Sequence, residues 1–135
     1  MPYVARHVSP HGLCREIAQF LQTQGCGTLG SSLRLWALPD TPYVCRAISP
    51  QGGPRAPGSP VDFVRFSIVV RDTNITSASV IAQHIFEALS DRSPSLSSFT
   101  GQVTADVHPG LTYRDANNLE VFSLNFLFTG MVRVI

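Results

Sequence analysis

The chain contains no lysine, and all ten of its basic residues are arginine. A GC-rich genome is the simplest explanation, and selection for the planar, multi-donor contacts of arginine at interfaces is the alternative. Charge of either sign is also scarce, since charged residues are 14% of the 135 residues and the net charge is +1. The chain therefore has no basic field to attract nucleic acid, and uncharged polar groups must form much of its surface.

Cysteine pairs and long apolar runs are missing as well. The three cysteines are odd in number and include no Cys-x-x-Cys pair, which argues against a disulfide framework. Cys14 and Cys45 lie among apolar residues, so we expect buried thiols in a protein made under reducing conditions. The N-terminus lacks the apolar core of a signal peptide, and no apolar run approaches membrane-spanning length. We therefore expect a soluble protein, made in a cytoplasm and without a membrane partner.

The segment Val61–Leu89 carries the strongest pattern in the chain. Its first part alternates apolar and other residues, which predicts a strand with one buried face. Its last part repeats apolar residues with the helical period, and Asn74 or Thr76 can cap the start of that helix. The predicted buried residues are Val64, Phe66, Ile68 and Val70 on the strand and Ala78, Ile81, Ala82, Ile85, Phe86 and Leu89 on the helix.

A second strand and a second helix are predicted in the same way. Leu119–Thr129 alternates, and we expect it to lie beside the first strand at the centre of one sheet. The tail Met131–Ile135 is predicted either to continue this strand or to dock on a neighbour. His11–Thr23 is predicted to form a helix that starts near Ser9 and stops at Gly25.

Weaker patterns fill the remainder of the chain. Leu33–Ala37 and Tyr43–Ile48 alternate on either side of a proline-containing turn, which predicts a hairpin. Ser49–Pro60 holds four prolines and three glycines, which predicts an exposed, flexible loop without regular structure. Gly101–Val107 is predicted to be a strand. The segment Tyr113–Asn118 is polar, and Asn117-Asn118 is suited to a turn.

These elements predict an α+β fold over residues 1–135 as a single domain. We expect one mainly antiparallel (mixed) sheet with two helices packed on one face, interrupted by a Pro/Gly loop at about residues 49–60.

One motif resembles a nucleotide site. Gly25–Gly30 matches Gly-x-Gly-x-x-Gly, but a dinucleotide site needs that motif between a strand and a following helix. Here the motif follows a helix and precedes a strand. A helix end followed by a loop is therefore the favoured interpretation.

Candidate catalytic and metal-binding residues are few. His7, His11 and Cys14 could ligate a metal, but no second cluster completes a tetrahedral set, so no metal or other cofactor is predicted. There is no Gly-x-Ser-x-Gly elbow, although a Cys/His pair stays open because such partners meet only in space. His84 and Asp115 would join Cys14 as the first residues to consider in an enzyme. Asn74-Ile75-Thr76 matches a glycosylation sequon, which we interpret as a helix cap.

Two runs resemble the tail-terminator and minor-capsid proteins of long-tailed bacteriophages. In that family a strand ending in arginine precedes a helix of pattern A-x-x-x-A-x-x-I-x-x-x-L, as Phe66–Arg71 and Ala78–Leu89 do here. The family ends with an aspartate-containing loop before a strand that carries S-x-N-F, which resembles Asp115 followed by Ser123–Phe126. The cysteines of the N-terminal half and the proline-rich loop depart from the family pattern.

The resemblance implies a structural virion protein that is not an enzyme and needs no cofactor. Such proteins typically form a ring, commonly a homohexamer, on the head-proximal end of the tail tube, where they stop tube growth and join the head. The implied partners are further copies of the chain, the tail-tube protein and the head connector or stopper protein. DNA would pass through the ring lumen without sequence-specific contact. The alternatives are a tail-tube or neck protein of similar fold, or a small ligand-binding module or enzyme.

A ring subunit needs two different lateral surfaces that meet head to tail. Exposed sheet edges and the apolar tail are candidates for one surface, and the Pro/Gly loop can reach a neighbouring subunit or the tube. The candidate assembly residues are Gly52, Gly53, Pro54, Arg55, Pro57, Arg71, Arg133 and Ile135.

Overall fold

A computed structural model describes residues 6–39, 44–54, 57–105, 108–114 and 120–133. These residues form two helices and six strands, and the elements occur in the order α-β-β-β-α-β-β-β. The elements are α1 (Pro10–Thr23), β1 (Leu33–Leu35), β2 (Cys45–Pro50), β3 (Asp62–Asp72), α2 (Ile75–Leu89), β4 (Phe99–Thr104), β5 (Gly110–Arg114) and β6 (Glu120–Val132). The predicted α+β class is confirmed.

Each helix begins at a side-chain cap that satisfies backbone N–H groups of the first turn. The Ser9 hydroxyl accepts from the Gly12 N–H at 3.2 Å, and Pro10 occupies the first turn of α1, where its missing N–H costs nothing. The Asn74 carboxamide oxygen accepts from the N–H groups of Thr76, at 2.8 Å, and Ser77, at 3.2 Å. Of the two predicted caps for α2, Asn74 is therefore the correct one.

The two strongly alternating strands pair at the centre of the sheet, as predicted. The strand order is β1-β2-β3-β6-β4, and β5 also pairs with β6. β3 and β6 are antiparallel along their whole lengths, from Asp62 opposite Gly130 to Asp72 opposite Glu120. On its other side, β6 pairs with β5 near its start and with β4 near its end. The predicted continuation of the tail into the strand is confirmed as far as Val132.

The predicted hairpin of the first two strands is wrong, because β1 and β2 are parallel. Leu33 lies opposite Arg46 and Leu35 opposite Ile48, and the Trp36 N–H donates to the Ile48 carbonyl at 2.8 Å. Closeness along the chain predicted that these strands would be neighbours but carries no information about their direction. The sheet is mixed because β1 and β2 are parallel whereas the other described strand pairs are antiparallel.

Two further boundaries differ from the predictions. Ser49 and Pro50 belong to β2, and the ladder continues because the Gln51 N–H donates to Arg65 O at 2.7 Å. Pro50 lies past the residues of β2 that pair with β1, and a proline is tolerated on such a free strand edge. The loop is therefore shorter than residues 49–60. No strand is predicted in the polar segment, yet its residues Tyr113 and Arg114 belong to β5. The turn predicted at Asn117-Asn118 lies outside the described residues.

One apolar core joins the helices to the sheet. The predicted inward residues of β3 are buried, and so are the alternating residues Phe122, Leu124, Phe126 and Phe128 of β6. The Phe66 and Phe126 rings stack with centroids 5.3 Å apart. α1 contacts β1, β2 and β3, whereas α2 contacts β3 and β6. The helix residues of this core are Leu13, Cys14, Ile17, Ala18 and Leu21 on α1 and Ala78, Ala82, Ile85 and Leu89 on α2. That both helices lie on one face of the sheet stays a prediction.

Candidate assembly surface

The Pro/Gly loop between β2 and β3 carries most of the predicted assembly residues. Gly52, Gly53, Pro54 and Pro57 are exposed, whereas Arg55 lies outside the described residues. The base of the loop is fixed to β3, because the Arg65 N–H donates to Gly52 O at 2.6 Å. At the far end, the Ser59 hydroxyl accepts from the Val61 N–H at 3.1 Å. The described loop residues are thus mostly exposed, and the start of the loop is attached to β3.

Gly53 cannot be replaced without moving the loop base. Its φ of +140° is unfavourable for any residue with a side chain, and a Cβ there would lie 3.0 Å from the Arg65 nitrogen and closer still to the Phe63 carbonyl. The glycine thus allows the loop backbone to pass directly over β3. This is a structural role, and it is independent of any contact with a partner.

Arg71 lies inside the subunit. Its side chain is 6% exposed, and its guanidinium donates to the Pro39 carbonyl in the connection between β1 and β2. The same side of the sheet buries Cys45, Ala47 and Val121. Arg71 therefore attaches Pro39 to this side of the sheet. We do not include Arg71 in the proposed assembly surface.

Arg133 connects the end of β6 to the linker that follows α2. Its backbone N–H donates to Ser98 O at 2.8 Å, and its guanidinium donates to Leu96 O at 3.0 Å. The residue as a whole is exposed. Ile135 lies outside the described residues. Arg133 therefore lies against the linker that follows α2, whereas the start of the Pro/Gly loop lies against β3.

An open groove runs between the two helices and this linker. Its larger part, about 530 Å³, is lined by Phe20, Gln24, His84, Glu87, Ala88, Arg92, Ser93, Pro94 and Ser95. A smaller part of about 280 Å³ continues along α1 and shares Phe20, Gln24 and Ser95 with the larger one. No sequence pattern singled out this groove, since its wall forms only when residues distant in the chain fold together.

The candidate metal ligands do not form a site. The His7 ring lies 3.0 Å from the Asp62 carboxylate, and the His11 ring packs edge-on against Trp36 with centroids 4.7 Å apart. Cys14 is fully buried, and burial raises the pKa of its thiol to about 12. Within the described ranges, no three His, Cys, Asp or Glu side chains lie close enough together to hold a metal ion.

The glycine-rich segment also lacks the geometry of a phosphate cradle. Its N–H groups are used inside the protein: Cys26 donates to Leu21 O at 2.9 Å, Thr28 to the Ser32 hydroxyl at 2.9 Å and Leu29 to the Gln22 carboxamide at 2.7 Å. A phosphate site needs such groups directed at the ligand. The interpretation of this motif as a helix end and loop is therefore supported.

The remaining candidate catalytic residues lie in different parts of the molecule. His84 is exposed on α2 while Cys14 is fully buried, so the described structure gives this thiol no route to an external substrate. Burial also raises the pKa values of the Cys26 and Cys45 thiols, and all three cysteines are free and buried as expected for Cys14 and Cys45. Asp115 lies outside the described residues. Neither described helix is long and apolar enough to cross a lipid bilayer.

Comparison with known families settles the class of protein. Residues 20–131 match a family model described as bacteriophage tail terminator protein, and this range covers all the described strands except the last residue of β6. The chain belongs to the bacteriophage tail terminator family. The resemblance seen in the strand, helix and S-x-N-F patterns is thereby confirmed, and the protein is a structural component of a phage-type virion.

A solved structure shares the fold of this family member. It is a chain from the virion of a native gene transfer agent particle, which superposes with a TM-score of 0.61 over 87% of this chain and 93% of that one. The two sequences are 14% identical, so this likeness concerns the fold. No curated protein matches the sequence significantly.

Proposed function

We propose that the protein closes the head-proximal end of a phage tail tube as a ring of identical subunits, six in number. The observation that carries this proposal is the match to the tail terminator family over residues 20–131. The ring stops addition of tube subunits on one face and presents the opposite face to the head connector or stopper protein. This role requires assembly with other tail and head proteins and uses no cofactor.

The surface of the described residues is consistent with such a role. Exposed large apolar side chains include Trp36, Val44, Ile75 and Val80, while charged residues are scarce throughout the chain. Depletion of charge with retention of apolar groups is typical of surfaces buried between proteins. A net charge of +1 also allows identical subunits to associate without strong mutual repulsion.

The test combines particle mass with imaging on tail tubes. Light scattering across protein and salt concentrations measures the mass of the free protein, and negative-stain images then show where it binds on purified tubes. We expect a single closed ring at one end of each tube and no further tube growth after binding. Stacks of rings along a lengthening tube would instead assign the protein to the tube itself. Tubes that grow normally without bound protein would overturn the proposal, whatever the mass of the free protein.

A further inference from the structure

The outward side of α2 is a helix surface with almost no charge. The helix has no Lys, Arg or Asp, and its one charged residue is Glu87. The residues opposite its buried stripe are exposed, namely Thr76, Val80, Gln83, His84 and Glu87, and we call them the outer face of α2. Val80, at the centre, is 64% exposed. A surface helix normally carries charged residues on the side facing water, so this face has the composition of a contact surface.

The second surface is the side of the central strands that points away from the core. Its residues on β3 and β6, which we call the open sheet face, are Phe63, Arg65, Ser67, Val69, Ser123, Asn125, Leu127 and Thr129. Arg65 and Asn125 are exposed and the others are partly exposed. This face mixes small polar and apolar groups, and Arg65 is its one charged residue.

Arg65 is a cation without a partner in the described part of the chain. It lies opposite Leu127 on β6, and no described acidic side chain pairs with it. Glu87 has one polar partner, the Gln83 carboxamide at 3.2 Å on the same helix. Arg92 lines the groove beside Glu87 but forms no ion pair with it. The two surfaces thus carry one unpaired charge each, and the charges are opposite.

We propose that the outer face of α2 on one subunit docks on the open sheet face of the next subunit, with Glu87 paired to Arg65. This inference rests on the ring proposed above and specifies its lateral contact. A head-to-tail ring needs two different, complementary patches on each copy, and these two patches meet that requirement in charge and in composition. Val80 then packs among the apolar groups of the open sheet face, where Leu127 lies beside Arg65.

Complementary charge reversal tests the pair. In a ring built only from Arg65→Glu subunits, two carboxylates face each other at every contact. In a ring built only from Glu87→Arg subunits, two guanidinium groups face each other at every contact. We expect each variant alone to require a concentration at least about ten-fold higher for ring formation, since facing like charges disfavour association. The double variant Arg65→Glu/Glu87→Arg restores opposite charges and is expected to assemble as the wild type does.

Mixing the two single variants gives the sharper result. In an equal mixture, each contact between unlike copies pairs opposite charges. Alternating rings with an even number of subunits are therefore expected at concentrations at which neither variant forms rings alone. Rescue by mixing requires that the two residues meet between different copies. Arg15→Glu, an equal charge change on the exposed side of α1, is the control and should assemble normally.

Three results overturn the inference. They are normal ring formation by either single variant, failure of the mixture to assemble although both variants keep the wild-type unfolding midpoint, and an equal loss of assembly in the Arg15→Glu control. If the single variants form normal rings but no longer bind tubes, the outer face of α2 or the open sheet face contacts another protein and the inference is wrong. Wild-type rings that fail to cap tubes would refute the proposed function. The mixing experiment would still test the contact between subunits, because it does not depend on tube binding.

Discussion

The ring of Phe128 lies directly against the α-carbon of Gly130, two residues further along β6. A Cβ added to Gly130 would come within 2.6 Å of the Phe128 Cζ atom, and one added to the facing Gly101 would come within 2.8 Å of the same atom. Phe128 is completely buried, so its ring has little freedom to move aside. The pair of glycines thus creates the space that one large core side chain occupies.

Gly130→Ala is therefore expected to destabilise the protein by about 1–3 kcal/mol, the usual cost of adding a methyl group to a closely packed core. Chemical denaturation followed by circular dichroism measures the change. Gly12→Ala is the control, because its added methyl group would have its nearest contact at 3.4 Å and lies in the first turn of α1. An unchanged or raised midpoint for Gly130→Ala would show that both the Phe128 ring and the Thr100 carbonyl, which lies closer still to the added Cβ, can move aside.

Arg71→Leu should lower the free energy of unfolding by about 1.5–3 kcal/mol, the usual contribution of a hydrogen bond from a charged group. The reason is that the Pro39 carbonyl loses a buried cationic donor and the 36–44 connection loses its attachment. Trp36, the one tryptophan, begins that connection, so its fluorescence reports local loosening before global unfolding. Arg15→Leu, on the exposed side of α1, should change neither readout, and equal effects from both variants would contradict the assigned role.

The buried thiols predict how stability depends on alkaline pH. Burial raises the pKa of Cys14 from 9.0 to about 12, so between these values the unfolded chain releases a proton that the folded chain keeps. Stability from this group is complete below pH 9.0 and is lost as pH rises toward 12. Its slope approaches about 1.4 kcal/mol per pH unit for one proton. Cys14→Ala should reduce the slope of unfolding free energy against pH in that window, and an identical slope would refute the assignment.

Shortening the Pro/Gly loop should weaken assembly without unfolding the subunit. Replacing Pro54–Gly58 by Asn-Gly keeps Gly52 and Gly53 on β3 and the Ser59 hydroxyl on Val61, so the unfolding midpoint should stay near that of the wild type. We expect fewer capped tubes in negative-stain images because the exposed loop residues are gone. The control replaces Pro54–Gly58 by five Gly and Ser residues, which keeps the length of the loop but changes its side chains. It separates the effect of loop length from that of side-chain contact. Normal capping by both variants would remove the loop from the assembly surface.

The main elements were predictable because a helix or strand that is buried on one side carries apolar residues at regular spacing. Phe122–Phe128 and Val64–Val70 alternate cleanly, and their predicted adjacency is confirmed by the full β3–β6 ladder. The direction of β1 relative to β2 was not predictable in this way, because parallel and antiparallel strands can show the same alternation of apolar residues. β5 was missed because it is short and polar and pairs with β6 across an irregularity between Leu111 and Tyr113.

The residues named for the assembly surface stay a prediction, and the structure shows only where the described ones lie. A proline-rich segment indicates exposure by composition alone, and Gly52, Gly53, Pro54 and Pro57 are exposed. Arginine is different, because the same residue can face water or hold the interior together. Arg71 is buried on a carbonyl although Arg65, on the same side of β3, is exposed. The scarcity of charge in α2 is the sequence signal behind the contact that we propose around Val80 and Glu87.

The position of β6 in the sheet has a consequence for synthesis on the ribosome. β6 is the last described strand in the chain, yet it lies between β3 and the two strands β4 and β5. Until residues 120–132 leave the exit tunnel, one long edge of β3 is open and β4 and β5 lack the strand with which they pair. Open edges are templates for wrong pairing with other chains, including neighbouring nascent copies on the same message. A premature stop before Glu120 would therefore yield aggregating fragments, and virion production would depend on translating each message past the codons for β6.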